Sequence, residues 1–321
     1  MTVVEKQDRV EEQSRQGPER SPPAHVPPEI LGCDTSIDQF TGVRFSQVGI
    51  LDLELAPVAG KTRIVRQFQT GPLYILRPIY TDTQRPDQAF IYTIQLGDGM
   101  VQGDRYRLDL KCAPGSAAHF TTQSATKIYR MEENFACQLV NLSVGADAFV
   151  EYLPDPVIPF RDSRCYQRIR LDIDATASLI LGEILLPGRV AHGESHVYTF
   201  YHSDTEASRP DGTLLFADRI RLDPTQVSPH SPGRLGLYNV LASLYIITSQ
   251  THPRDLVDRL HRCLTHQAAV LAGVSELPNG SGVSVRMLGH TALAVKNAFQ
   301  RVWNEARLAV IGVPAPDLRK G

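Results

Sequence analysis

Arg105-Tyr106-Arg107-Leu108-Asp109-Leu110-Lys111-Cys112-Ala113-Pro114-Gly115-Ser116-Ala117-Ala118-His119-Phe120 holds the key to the architecture. Tyr106, Leu108, Leu110 and Cys112 alternate with Arg105, Arg107, Asp109 and Lys111. That period of two turns one face of a strand to a core and the other to water. Ala113-Pro114-Gly115-Ser116 breaks the run with turn chemistry, and a more continuously apolar strand starts at Ala117. The succession returns twice. Val140-Asn141-Leu142 leads through Ser143-Val144-Gly145-Ala146 into Ala148 to Leu153, and Leu171-Asp172-Ile173 leads through Asp174-Ala175-Thr176-Ala177 into Leu179 to Leu186. Gly145 follows Gly115 by 30 residues and Thr176 follows Gly145 by 31, as expected for a strand-turn-strand unit stacked on its neighbours. A long hairpin with its return segment has a similar length, so a sandwich and a helix-like stack both stay open. Either way the fold is mainly β, a layered or helix-like stack of strands.

The strand period extends from about Phe45 to Thr248, including Gln167, Ile169, Leu171 and Ile173 against Arg168, Arg170, Asp172 and Asp174. Beyond it the period becomes helical. Pro253 suits a first helical position, and Leu256, Leu260, Cys263 or Leu264, and Leu271 predict a helix running to about Gly273. A short strand follows over Val283–Met287. A second helix from Thr291 to Val310 aligns Val295, Phe299, Val302, Ala306 and Val310 before Gly312 and Pro314 stop it. Two C-terminal helices therefore complete the β body.

Residues 1–40 combine charges with Pro18, Pro22, Pro23, Pro27 and Pro28, and carry few large apolar groups. Such a segment buries too little surface to offset its ordering entropy, so a disordered leader is expected. The β-rich body then spans 41–250, its helical part 251–313, and a tail that is free or docks on a partner 314–321.

With 321 residues, 42% hydrophobic, a net charge of −2 and a pI near 6.6, the chain has material for a large core and no basic field. Nucleic acid and anionic membranes are not expected partners. No apolar run approaches the roughly 20 residues of a membrane span, and the N-terminus lacks the apolar core of a secretion signal, making the cytoplasm the expected compartment. Five cysteines (Cys33, Cys112, Cys137, Cys165, Cys263) without a C-x-x-C pair predict packed free thiols rather than disulfides or structural zinc.

Candidate chemistry is sparse. Glycines 97, 99 and 103 precede a strand, not a helix whose N-terminus would bind phosphate, so a tight turn delivering Asp104 to that strand is expected. Glu183 lies in Leu179-Ile180-Leu181-Gly182-Glu183-Ile184-Leu185-Leu186, apolar on both faces, and needs either a basic partner such as Arg189 or a wet cavity. There it would offer a weak oxygen ligand to a divalent ion. His192, Glu194 and His196 would share one side of a strand and form a ligand set for nickel or a similar ion. Thr121, Thr122 and Thr126 suit hydroxyl hydrogen bonds between strands, with Lys127 and Arg130 flanking Tyr129 at a surface. The prolines of Tyr152-Leu153-Pro154-Asp155-Pro156-Val157-Ile158-Pro159-Phe160 enforce an extended edge segment that no interior strand would carry. Tyr152, Pro154, Ile158 and Phe160 are its candidate docking residues.

Gly97-Asp98-Gly99-Met100-Val101-Gln102-Gly103-Asp104, Thr121-Thr122-Gln123-Ser124-Ala125-Thr126-Lys127-Ile128-Tyr129-Arg130, the proline segment, Gly182-Glu183 and Pro187-Gly188-Arg189 together resemble the UreD (UreH) family of urease accessory proteins. The resemblance implies a non-catalytic, helix-like stacked β scaffold with helices toward its C-terminus. It implies partnership with UreF and the GTPase UreG in a dimeric hetero-complex that docks on apo-urease, and an interior passage for nickel in transit, with no tightly bound cofactor. By motif it carries over Asp104, Thr121, Thr122, Gln123, Lys127 and Glu183. Asp98 stands where the family usually has a third glycine, and His192 and His196 are not typical of the pattern. Scattered oxygen donors suit a carrier, which must release its ion, better than clustered thiolates. Two other functions compete: a metal-dependent hydrolase using His192, Glu194 and His196, and a β-sandwich interaction module with no ion role.

Overall fold

The computed structural model describes residues 26–31, 47–97, 99–265 and 269–318. Strands β1 (Val48–Val58), β2 (Lys61–Thr70), β3 (Leu73–Ile75) and β4 (Ala89–Gln95) follow a short helix, α1 (Pro28–Leu31). Next come β5 (Arg105–Cys112), β6 (Ala117–Thr122), β7 (Thr126–Ile128), β8 (Ala136–Val144), β9 (Phe149–Tyr152) and β10 (Val157–Pro159). Strands β11 (Arg164–Ile173), β12 (Ser178–Leu185), β13 (Phe200–Ser208), β14 (Leu214–Leu222) and β15 (Val240–Ile247) precede α2 (Pro253–Leu264). The pair β16 (Val270–Glu276) and β17 (Gly282–Gly289) leads into α3 (Ala292–Val310).

The repeat is structural. Each strand-turn-strand unit sends its first strand to one sheet and its second to another, and successive units stack in parallel: β5, β8 and β11 on one side, β6, β9 and β12 on the other. Leu110 stands opposite Leu142, and Leu142 opposite Leu171, so like residues form a continuous inner column. The turns stack too. Gly145 N–H donates to Cys112 O (2.9 Å), Gly115 N–H to Ala146 O (2.8 Å), and Ser178 N–H to Ala148 O (2.8 Å). A Cβ on Gly145 would stand 2.7 Å from Pro114 N, so the approach of one coil to the next requires glycine here.

The result is mainly β and solenoid-like. The seven-stranded sheet runs β14-β13-β11-β8-β5-β1-β2. The ten-stranded sheet runs β16-β17-β15-β12-β9-β6-β4-β3, with β7 and β10 beside it. Antiparallel pairs close the ends: β1 with β2, β13 with β14, and β15 with β12 and β17. Leu51, Leu53, Leu108, Leu110, Phe120, Val150 and Ile169 fill the core between the sheets. A second core lies outside the ten-stranded sheet, where Leu256, Leu260, Val295, Phe299, Val302 and Trp303 pack on Ile180, Ala242 and Leu244. His252 and Thr291 cap the two long helices through Arg254 and Ala294 N–H.

Four expectations need correction. The first long helix stops at Leu264, and Leu271 instead lies exposed on β16, paired with β17; a single apolar residue satisfies helical and strand spacing alike. The proline segment does contain a strand, β10, joined to β7 and β12 because only Val157–Pro159 must pair and two of those residues retain an N–H. Within 1–40, Val26–Leu31 is ordered, with Ile30 buried against Phe135 and Tyr166; the rest of that leader lies outside the described residues. The tail through Leu318 docks on its own chain, Arg307 Nε donating to Pro314 O (3.0 Å) and Ala315 N–H to Asn304 Oδ1 (3.0 Å). Cys112, Cys137 and Cys165 are buried free thiols and Cys263 is half-buried, while Cys33 lies outside the described residues. Among the described residues, no helix is long and apolar enough to cross a membrane.

Candidate functional site: a polar chamber between the sheets

Between two otherwise apolar sheet faces, Gln95 (β4), Gln138 (β8), Gln167 (β11) and Glu183 (β12) surround a cavity of about 70 Å³ with Thr93 and Tyr152. The alternation that puts Leu179, Leu181 and Leu185 on the inner face of β12 puts Glu183 there as well. Gln167 reaches inward between Cys165 and Ile169 by the same rule. Its Nε2 donates to Glu183 Oε1, while Glu183 Oε2 is shielded and without a hydrogen-bond partner. Burial raises the Glu183 carboxyl, and the charge of Asp218 raises it further. The Gln167 hydrogen bond and Arg286 act the other way, leaving it at about 7. Asp218 is itself engaged by Tyr245 and Arg286. Glu183 thus has an amide partner and a chamber. The expected Arg189 partner pairs instead with Glu194, Nε–Oε2 2.8 Å and Nη2–Oε1 2.5 Å.

The two densest sequence signatures pair with each other, and the second of them also lines the chamber. Met100 bridges Ile128, with Met100 N–H donating to Lys127 O and Tyr129 N–H to Met100 O, each at 2.8 Å. A Cβ on Gly99 would lie 2.4 Å from the Tyr129 ring, which accounts for glycine at that point. Asp98 lies outside the described residues. Thr122, Gln123 and Ser124 line the cavity's edge, and Asp155 N–H donates to Thr122 Oγ1 (2.8 Å). Thr121 Oγ1 donates to Leu153 O (2.7 Å) across β6 and β9.

Asp104 does not face the chamber. Its carboxylate takes Gln47 N–H (2.8 Å), Val101 N–H (2.9 Å) and Tyr106 OH (2.8 Å), clasping the glycine turn. Burial nevertheless raises its pKa, and the backbone donors offset only part of that. Tyr106 OH in turn accepts from Gln95 Nε2 (3.2 Å), so Asp104 reaches the chamber wall through two hydrogen bonds.

The His192, Glu194 and His196 set does not assemble. Val190–His192 is a 3-10 turn, not a strand, and Gly193 is left-handed, so the three side chains lose their shared direction. His192 is exposed, Glu194 is occupied by Arg189, and His196 is buried with φ +52°, its Nδ1 3.2 Å from Tyr198 OH. Burial pushes the His196 imidazole down to about 4, and neighbouring His230 adds to this. Among the described residues, no group of three or more His, Cys, Asp or Glu side chains could hold a metal ion. The hydrolase reading loses its ligand set. The docking residues are also redistributed: Tyr152 is buried in the chamber wall, and Phe160 is buried beneath the Arg189 guanidinium, 4.2 Å away. Pro154 and Ile158 keep partial exposure.

Stacked parallel coils with antiparallel ends, a helical layer on one sheet and a polar interior chamber define a capped β-solenoid. Comparison with known proteins adds the lineage. The family model described as UreD urease accessory protein matches residues 47–320, and the chain belongs to that family. It is 41% identical over 277 residues to urease accessory protein UreD 2 of Streptomyces griseus, covering 86% of this chain and 94% of that protein. It is 33% identical over 277 residues to UreD of Cenarchaeum symbiosum (86% and 97%) and 34% identical over 273 residues to UreD of Haloarcula marismortui (85% and 90%).

Proposed function

We propose that this protein is a non-catalytic scaffold for urease maturation that passes nickel through its interior toward apo-urease, in a complex with UreF and the GTPase UreG. Glu183 carries this reading. A carboxylate in a chamber between apolar sheets, with one amide partner and one oxygen free, is costly to keep unless the oxygen has use. One carboxylate among amide and hydroxyl oxygens makes a weak, exchangeable set for a divalent ion, as transfer requires. A carboxyl that titrates at about 7 also lets protons compete with the ion near neutrality. Directionality would come from the partner GTPase, in keeping with a glycine turn that leads into a strand here.

The test is reconstitution with UreF, UreG and apo-urease, reading urease activity and urease-bound nickel. Glu183→Ala is expected to reduce activation at least about tenfold while the complex still co-purifies. Normal activation by that variant, or by cells lacking this chain, would refute the proposal.

A further inference from the structure

Among the described residues, the strand orders of the two sheets end in β2 and β14 on one side and in β3 and β16 on the other. Three of these edges are blunted. β2 carries Lys61, Arg63 and Arg66 and shifts register opposite Glu54, β14 carries Arg219 and Arg221 and shifts register opposite Ser208, and β3 has only three residues. Charges, bulges and brevity all discourage a further strand from pairing. β16 has none of these devices. Its run Val270-Leu271-Ala272-Gly273-Val274-Ser275-Glu276 holds one charge, at its end, and keeps an unbroken register with β17.

Among the described residues β16 pairs with β17 alone. Leu277 N–H donates to Gly282 O (2.8 Å) in the same register, so antiparallel alternation turns Leu271, Gly273 and Ser275 toward β17. The backbone N–H and C=O groups of Val270, Ala272, Val274 and Glu276 therefore point outward, a row that another extended strand matches. Gly273 stands at the midpoint of this strand. Its φ is not left-handed, and a Cβ there would meet nothing within 4 Å, so nothing inside the chain requires glycine at a position where glycine weakens a strand. Such a glycine marks the close approach of another backbone. Apolar surface gathers at one end of the same edge. Asn239 N–H donates to Gly289 O (3.0 Å), and Gly289 stands opposite Val270. Leu237 and Leu293, the most exposed large apolar side chains among the described residues, flank this point, and exposed Leu271 adjoins it.

We propose that two copies of this chain associate through β16, paired antiparallel about a two-fold axis at Gly273. In that register Val270 faces Glu276 of the second copy and Ala272 faces Val274, so every outward N–H and C=O finds a partner. Glu276, the one charged residue of the strand, meets Val270 and never its own copy. Gly273 meets itself on the axis, where facing side chains come closest, which accounts for a glycine at the midpoint rather than elsewhere in the strand. An unrelated strand would have no reason to place its close approach there. A seven-residue ladder with a few leucines is a small contact, so the dimer depends on concentration. This goes beyond the maturation role proposed above and does not depend on it.

Sedimentation equilibrium of the full chain across a dilution series is expected to show monomer and dimer in exchange. Gly273→Lys adds a side chain to open space in the monomer but sets two cations face to face across the axis. It is expected to weaken association at least about tenfold with an unchanged thermal midpoint. Cross-linking tests the register. Facing residues at the axis would have Cα atoms about 4.5 Å apart, within reach of a disulfide. Gly273→Cys, oxidised with copper–phenanthroline and dioxygen, is expected to give a covalent dimer. Ser275→Cys, which would face Leu271 of the second copy, and the native chain are not. Association that a well-folded Gly273→Lys protein retains in full, or equal cross-linking through Ser275→Cys, would overturn the proposal. So would a chain that stays monomeric at every concentration and forms no Gly273→Cys dimer, which would leave the edge to a strand of a different protein. The cross-linking comparison decides the matter even if Gly273→Lys misfolds.

Discussion

Arg307 Nη1 stands 2.8 Å from Glu151 Oε2, a residue 156 positions earlier in the chain, and neither side chain is exposed. The same guanidinium reaches Asp82 Oδ2 (2.5 Å), Gln88 Oε1 (3.2 Å) and Pro314 O (3.0 Å). One cation on α3 therefore joins the β3–β4 connection, the middle of the solenoid and the tail. Arginine suits this because its planar fork serves several acceptors at once and its charge cannot be titrated away. Apolar packing seats α3 on the sheet, and this cluster fixes where it sits.

Replacing Arg307 with Met leaves Asp82 and Glu151 buried without their shared counter-charge. Loss of one member of such a buried cluster costs about 3–5 kcal/mol. Urea denaturation is the measurement. The Arg307→Met/Glu151→Gln double variant is expected to lose less than the sum of the single losses, because each removes the other's penalty. Strict additivity would show that the two residues do not act as a unit.

Glu151 sets an acid limit. Burial works to raise its pKa, but His119, Arg307 and Trp303 together outweigh that and hold it at about 2, below the usual 4.5. A depressed folded-state value means stability that is present above pH 4.5 and lost as pH falls toward 2. The loss is on the order of 3 kcal/mol over that window. Denaturation midpoints taken at successive pH values should show this slope in the native protein and a flatter one in Glu151→Gln.

Glu183 works in the opposite sense. Its folded-state value of about 7 lies above the ordinary 4.5, so the native state holds the extra proton and stability falls as pH rises through that interval. Glu183→Gln keeps the size and the amide contact while removing the titration. The variant is expected to be more stable than the native protein above pH 7 by roughly 2–3 kcal/mol and close to it below pH 4.5. A native stability that stays flat between these pH values would mean that Glu183 is solvated like a surface acid.

What the sequence disclosed follows from range. Alternation at Tyr106, Leu108, Leu110 and Cys112 and the helical spacing of Val295, Phe299, Val302, Ala306 and Val310 are local, and both elements form where those residues predict, with Thr291 capping the helix rather than starting it. The 30-residue spacing of the turns was visible, but whether the units pair in parallel depends on contacts such as Leu110 with Leu142, which no local pattern encodes. Glu183 stood out because a carboxylate in an apolar strand conflicts with its surroundings. Its true partner Gln167 did not, since a glutamine in an alternating strand reads as ordinary. His192, Glu194 and His196 misled because i, i+2, i+4 spacing has meaning only on a strand, and Gly193 turns the chain there. The Arg307 cluster was invisible for the same reason as the strand pairing: Asp82, Glu151 and Arg307 come together only after the helices close on the sheet.

Gly145 tests the stacking of coils directly. Its conformation is open to any residue, so the cost of Gly145→Ala comes from crowding alone. The new Cβ would stand 2.7 Å from Pro114 N and 3.0 Å from both Ala113 C and Cys112 O, all backbone atoms of the preceding coil. Backbone cannot rotate aside as a side chain can, so the coils must separate locally and strain the β5–β8 ladder. A loss of about 1–3 kcal/mol is expected, as for overpacking elsewhere in protein cores. Faster hydrogen exchange should appear at Gly145 N–H and its neighbours in β8. Gly212→Ala is the control: its φ of +87° imposes a dihedral cost, yet its Cβ would meet nothing within 4 Å. That variant should lose stability without loosening β5 and β8. If Gly145→Ala left exchange in both strands unchanged, contact between successive turns would not be what holds the solenoid in register.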